Sequence, residues 1–144
     1  MSPIPSDPEP GGRAATGLPL HLPRRIRPWR YQVGHSELTL RSVDRVPAGE
    51  VVEATFFGVV GMKLKTTYEG IALREAGHEL AREIARFAGI RSDCTDRLRC
   101  LLLDPEADDS FVACVGFSVW THRETPESDR SGMPRDGSTL ILRG

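Results

Sequence analysis

The 144-residue chain is poor in lysine, in aromatic residues and in cysteine, and it has no long apolar run. No stretch comes near the roughly 18 consecutive apolar residues of a membrane-spanning helix, so we expect no membrane partner. A net charge of −1 gives no general attraction to nucleic acid, and no nucleic-acid partner is expected. The three cysteines are odd in number and widely spaced, which argues against a disulfide framework and indicates a cytoplasmic protein with reduced thiols.

Arginine is what the chain has in abundance, because 17 of its 19 basic residues are arginine. Together with the many glycines, alanines and prolines, this bias is typical of proteins from GC-rich bacterial genomes. The length, with 39% apolar and 27% charged residues, fits a single globular domain with an ordinary core. The chain has no dinucleotide fingerprint and no Walker loop, so no cofactor is expected.

Proline is concentrated at the N-terminus, where residues 1–28 hold seven of the eleven prolines. Such a segment cannot donate backbone hydrogen bonds regularly, and it predicts a disordered or extended tail before a single domain at 29–144. The tail ends in "RRIRPWR", the one locally basic and aromatic patch of the chain. Trp29 and Arg30 there are predicted either to dock a phosphate or an acidic partner, or to belong to a linker in which Trp29 anchors the first strand.

The clearest pattern is the alternation of apolar and polar residues in "VVEATFFGVVGMKLK". It predicts one long, half-buried antiparallel strand, or two strands joined at Gly58 or Gly61. Phe57 and Val59 interrupt the polar face of this strand. We expect the N-terminal tail or a partner protein to cover them.

Residues 75–88 have the period of an amphipathic helix, with Leu80, Ile84 and Phe87 on its apolar stripe and Gly89 as its stop. Strand patterns stand on both sides of this helix and do not alternate with helices. The predicted fold class is therefore α+β, a mainly antiparallel sheet of about six or seven strands with one amphipathic helix packed on one face.

The segment "PWRYQVGHSELTLRS" changes the parity of its apolar residues at Gly34-His35-Ser36. Because side chains on a strand alternate with period two, this change predicts a tight turn or a bulge, with Gly34 supplying the permissive backbone. His35 is then the corner of a sheet, and Glu37 opens the next strand.

The catalytic and metal motifs in the chain are incomplete. His78-Glu79 starts the H-E-x-x-H zinc pattern, but Arg82 stands where the second histidine is required. The turn that starts at Asp104 lacks the glycine and the glutamate of a calcium loop. Cys114 lies in an apolar strand, which is typical of a core residue, although a thiol nucleophile beside one of the histidines remains an alternative.

Two H-x-E pairs, His35 with Glu37 and His122 with Glu124, have the spacing found in zinc deaminases. The P-C-x-x-C pair that those enzymes need is missing, so that reading fails. A looser composite of the four side chains, meeting across neighbouring strands as a metal or acid–base site, stays open.

The order "W-x-Y…GHSELTLRS", "VVEATFFGVVGMKLK" and "YEGIALREA" over residues 29–75 resembles small bacterial sheet proteins of the immunity-protein-50 type and related actinobacterial domains. This resemblance implies a compact binding domain, in some relatives a stoichiometric inhibitor of a toxin, with no catalytic residues to transfer. The matching positions are Trp29, Tyr31, His35, Glu37, Leu38, Phe57, Gly58, Val59, Met62 and Leu64.

The favoured hypothesis is a non-enzymatic protein-binding or immunity-like domain, whose partner is expected to be another protein. Aromatic and arginine side chains are enriched at interface hot spots, and they guide the choice of candidates. The candidate interaction residues are Trp29, Arg30, His35, Glu37, Phe57, Val59 and His122.

Three alternatives to this hypothesis remain. The chain could be a small enzyme or ligand-binding domain that uses His35, Glu37, His122 and Glu124 beneath a loop at 123–137. It could be an accessory protein of a larger assembly, tethered by its N-terminal tail. A homodimer, in which the partner is a second copy of the chain, is the third alternative.

Overall fold

The computed structural model describes residues 17–44, 49–91, 96–123 and 139–144. These residues form ten β-strands, one α-helix and short 3₁₀ segments, and every strand pairing among them is antiparallel. The elements are β1 (Leu20–Leu22), β2 (Ile26–Gln32), the 3₁₀ turn (Val33–His35), β3 (Glu37–Ser42), β4 (Glu50–Phe57), β5 (Gly61–Lys63), β6 (Ile71–Glu75), α1 (His78–Phe87), β7 (Arg99–Leu102), β8 (Phe111–Cys114), β9 (Gly116–Arg123) and β10 (Thr139–Arg143).

The strands form two five-stranded sheets that share one core. Sheet I has the order β1-β6-β7-β8-β5, and sheet II has the order β10-β9-β4-β3-β2. Three stretches of chain pass from one sheet to the other, because β1 leads into β2, β4 into β5 and β8 into β9. A mainly antiparallel α+β fold with one helix is therefore confirmed for the described residues. The predicted six or seven strands in one sheet are wrong, since bends divide the long apolar runs into strands of different sheets.

The bend between β4 and β5 is made at Gly58, which has a φ of +63°. The neighbouring bend between β8 and β9 lies against it, and the Val115 N–H donates a hydrogen bond of 2.9 Å to the Phe57 carbonyl. A left-handed residue changes the direction of the side chains that follow. Val59 is consequently turned into the core, where it is 6% exposed, and is not on the polar strand face that the alternation predicted.

Sheet I is the middle layer of the molecule. Leu101 and Val112 face the core shared with sheet II, while Cys100 and Ala113 face α1. Since both of its surfaces are covered, the strands β7 and β8 are apolar at successive positions. Sheet II has the shared core on one side only, which explains the alternation in β4.

The helix α1 packs on the side of sheet I that faces away from sheet II. Ile84 is buried and Leu80 is partly buried against the sheet, as the apolar stripe predicted. Phe87, the third member of that stripe, is 67% exposed, and its ring meets the Phe111 ring nearly at a right angle, at a centroid distance of 5.5 Å. Gly89, with a φ of +77°, follows the last turn. No helix among the described residues is long and apolar enough to cross a membrane.

The sheets begin before residue 29, the start of the domain that the proline content predicted. Leu22 and Ile26 are buried in the shared core, and Ile26 exchanges backbone hydrogen bonds with Tyr68. Prolines are compatible with this arrangement, because Pro23 lies between two strands and Pro28 lies on β2, the edge strand of sheet II. Residues 1–16 of the predicted tail lie outside the described residues.

Candidate functional site

The side of sheet II that points away from the core is here called the outer face. Strand register defines it, because its residues alternate with the core residues of β2, β3, β4 and β9. Its members are Arg27, Trp29, Arg30, Glu37, Thr39, Arg41, Val51, Glu53, Thr55, Phe57, Ser118, Trp120 and His122, together with Leu140 opposite Trp120.

Five of the seven candidate residues lie on the outer face, namely Trp29, Arg30, Glu37, Phe57 and His122. His35 is exposed in the 3₁₀ turn at the end of this face, and Val59 is in the core. Most of the set therefore shares one face of sheet II, although its members occupy different parts of that face.

The proposed composite of two histidines and two glutamates is not assembled among the described residues. Leu38 is opposite Phe56, which places Glu37 beside Phe57 at one end of β4, whereas His122 is opposite Val51 near the other end. Six residues of strand separate these positions by about 20 Å. Glu124 lies outside the described residues. No group of three or more His, Cys, Asp or Glu side chains in the described ranges could hold a metal ion.

A row of aromatic and charged side chains crosses the outer face. The Arg41 guanidinium lies 4.6 Å from the centre of the Trp29 ring, within cation–π range. Arg41 Nε is 3.8 Å from Glu53 Oε2, and Glu53 Oε1 is 3.4 Å from His122 Nε2. The second contact is an ion pair when His122 carries a proton. The row joins β2, β3, β4 and β9, and the side chains of Arg41, Glu53 and His122 are each less than one-fifth exposed.

Partly exposed apolar side chains lie in this row and beside it on the outer face. Trp29 is 51% exposed, Phe57 42% and Leu140 40%. Trp120 is half-buried, and its Nε1–H donates a 3.1 Å hydrogen bond to Ser118 Oγ, which holds the indole back over the sheet. Aromatic groups that are fixed before binding lose little conformational entropy when a partner covers them.

Sequence reasoning missed Arg41, Glu53, Trp120 and Leu140. The alternation in "FSVWTH" could have placed Trp120 on the same face as His122, because both have the same parity. Nothing local could have paired Arg41 with Glu53. That pair depends on the register between β3 and β4.

The turn that was predicted at residues 34–36 is confirmed, with a different residue in the strained position. Ser36 has the left-handed backbone, with a φ of +48°, whereas Gly34 has no positive φ. The Ser36 carbonyl accepts a 2.9 Å hydrogen bond from the Val59 N–H, which ties the turn to the Gly58 bend. His35 is thus an exposed residue at a sheet corner.

The arginines near β2 differ in their partners. Arg24 donates to Asp44 at 2.8 Å, and Arg25 contacts Glu69 at 3.2 Å. The hydrogen bond from Arg24 lowers the pKa of the Asp44 carboxyl below its usual value. Arg27 and Arg30, which flank Trp29, form no ion pair within the described residues.

Two of the three cysteines are buried thiols, and their environment opposes nucleophilic chemistry. Burial raises the pKa of the Cys114 thiol to about 12. Burial and the nearby Glu75 carboxylate raise the pKa of Cys100 as well. Both residues are free in the described structure, and Cys94 lies outside the described residues. Neither buried thiol supplies the thiolate that a cysteine nucleophile requires.

Thiol labelling should reveal this protection. In a Cys94→Ser variant we expect no reaction of the native protein with Ellman's reagent at pH 8, and two reactive thiols after unfolding in guanidinium chloride. The physical reason is that the reactive thiolate is suppressed and the sulfur atoms are covered. Rapid native labelling of either thiol would contradict the burial of both.

The fold defines a structural class in which two antiparallel sheets share one core and a helix covers the other side of sheet I. The outer face of sheet II carries the aromatic and charged side chains described above. Comparisons with protein-family models, with curated proteins and with solved structures find no match for this chain. The likeness to immunity-protein-50-type domains accordingly stays a prediction from the residues quoted above.

Proposed function

We propose that this chain is a non-enzymatic protein-binding domain and that its partner docks on the outer face of sheet II. The observation that carries the proposal is the set of partly exposed apolar side chains, Trp29, Phe57 and Leu140, in and beside a fixed row of charged groups. Exposed aromatic side chains beside charged groups are typical of the hot spots of interaction sites. The immunity-like role, in which the partner is a toxin, follows from the resemblance and is part of this proposal.

The charged row supports recognition as well as stability. Arg41, Glu53 and His122 are held by one another and by Trp29, so a partner meets donors and acceptors whose positions are already set. Preorganised polar groups reduce the entropy that is lost on association. Of the row, the edges of Glu53 and His122 reach the surface, while the Arg41 side chain is 5% exposed and holds Glu53 and Trp29 in place from beneath. The helix α1 packs on sheet I, on the opposite side of the molecule, and leaves this face to a partner.

The test compares a variant of the outer face with a matched variant elsewhere. Immobilised full-length protein is incubated with lysate of the source organism, retained proteins are identified by mass spectrometry, and the affinity of each is then measured with purified components. We expect the Trp29→Ala/Phe57→Ala variant to bind the partner about 30-fold more weakly or worse, because hot-spot aromatics cost about 2 kcal/mol or more.

Phe87→Ala is the matched control, since Phe87 is an exposed aromatic residue on α1 and lies outside the outer face. We expect this control to keep the affinity of the unmodified chain. A partner that binds the outer-face variant and the unmodified chain equally well would overturn the proposal. Failure to retain any protein from the lysate would do the same.

A further inference from the structure

We infer that the partner presents a strand-like segment with acidic residues at alternate positions, and that Arg27 and Arg30 bind its two carboxylates on either side of Trp29. This inference rests on the proposed function and specifies the partner's chemistry at one end of the outer face. It comes from the charges and the register of β2.

The first argument is the charge that the chain leaves uncompensated. Arg24, Arg25 and Arg41 each contact a carboxylate of the chain, at Asp44, Glu69 and Glu53 respectively. Arg27 and Arg30 have no such contact within the described residues.

The second argument is the position of Arg27. Arg27 is directly opposite Arg41 in the β2–β3 ladder. Like charges at directly opposed positions of a sheet are unfavourable. Glu53 lies 3.8 Å from Arg41, so Arg27 is the member of the opposed pair that has no carboxylate within the described residues, and an external anion at Arg27 would balance its charge.

The third argument is the spacing that the bulge creates. The register of β2 shifts between Pro28 and Arg30, so that Arg27 is opposite Arg41 and Arg30 is opposite Thr39. Thr39 and Arg41 are two positions apart on β3. The side chains of Arg30 and Arg27, which are opposite them, therefore lie about 7 Å apart along the strand direction. Alternate side chains on one side of an extended segment repeat at the same distance. A guanidinium binds a carboxylate through two parallel hydrogen bonds.

The surrounding charges favour a protein segment over nucleic acid. Glu37 and Glu53 share the outer face with the arginines, and the whole chain has a net charge of −1. Nucleic-acid surfaces instead carry an extended basic stripe. Two arginines without an ion pair in the described residues match two carboxylates, and Trp29 between them can pack against the backbone of the segment.

The test is an NMR titration of the full-length chain with two peptides of identical composition, Ac-TTEVETT-amide and Ac-TTEEVTT-amide. We expect the alternating peptide to shift the Trp29 indole and the Arg27 and Arg30 Nε signals, with at least about tenfold higher affinity than the peptide with adjacent acids. The variant Arg27→Gln/Arg30→Gln should lose at least about tenfold of that affinity. Arg86→Gln/Arg97→Gln removes the same charge from exposed positions elsewhere and should lose none.

Three results would overturn the inference. These are no shift at either arginine, equal binding of the two peptides, and tighter binding of an octathymidylate at the same residues, which would indicate nucleic acid. The partner assay separates this inference from the proposed function. A partner that depends on Trp29 and Phe57 but tolerates Arg27→Gln/Arg30→Gln overturns the acidic segment alone, whereas independence from all four residues overturns both.

Discussion

Replacing Phe56 with alanine is expected to lower the free energy of unfolding by about 3–5 kcal/mol. Phe56 is completely buried between the sheets, opposite Phe117 on β9, with 6.3 Å between the ring centres. Its removal takes away apolar contact area and leaves a cavity that close-packed neighbours fill only in part. Denaturation in guanidinium chloride, followed by tryptophan fluorescence, measures the loss.

The adjacent Phe57 provides the control. It has the same side chain on the same strand, but it lies on the outer face and is 42% exposed. We expect Phe57→Ala to cost about 1 kcal/mol or less. If Phe56→Ala fails to fold, Phe56→Leu, with an expected cost of about 1–2 kcal/mol, keeps the comparison measurable. Equal losses at the two positions would show that β4 does not have the orientation described here.

This contrast also shows how much of the fold could be predicted from the sequence. The period-two alternation of β4 predicts that Val52, Ala54 and Phe56 share one face, and all three lie in the core. The helix was predictable for a similar reason, since its stripe repeats within one short segment. Local patterns of this kind need no knowledge of distant residues.

The number of strands and the two-sheet arrangement depend on bends that local patterns do not specify. Gly58 was one of the two positions at which the alternation allowed a division, and Gly116 stands at the start of β9, but neither glycine indicates that the chain after it joins a different sheet. The assignment of Val59 to the polar face failed for this reason. The contacts from Arg41 to His122 could not be predicted either, because they depend on the register between β3, β4 and β9, which are far apart in the sequence.

The sequence pointed to those candidate residues whose type stands out from the local strand pattern. Trp29 and Arg30 were identified by local composition, and Phe57 by its apolar side chain at a polar position. His35, Glu37 and His122 were grouped by chemistry alone, and strand geometry separates them. Composition therefore indicated the proposed docking surface, whereas only strand pairing shows which of its groups touch.

Replacing Gly58 with alanine is expected to lower the free energy of unfolding by about 2–4 kcal/mol. The left-handed backbone, with a φ of +63°, costs about 1–2 kcal/mol in a residue with a side chain. The added methyl group would also lie 2.8 Å from Val115 Cγ2 and 3.1 Å from Val115 Cβ, so the Val115 side chain would have to change its rotamer or the two bends would have to shift apart. Thermal and chemical denaturation of the variant measure the sum of these effects.

Gly89→Ala isolates the backbone contribution, because Gly89 has a φ of +77° and no atom lies within 4 Å of an added methyl group. We expect this control to lose only about 1–2 kcal/mol. A Gly58→Ala/Val115→Ala double variant should lose less than the sum of the two single variants, since shortening Val115 removes the closest contact. The bend also divides Phe57 on the outer face from Val59 in the core, so a shift there would displace one edge of the proposed docking surface. If Gly58→Ala costs no more than Gly89→Ala and shows no coupling to Val115, the two bends do not pack against each other as described.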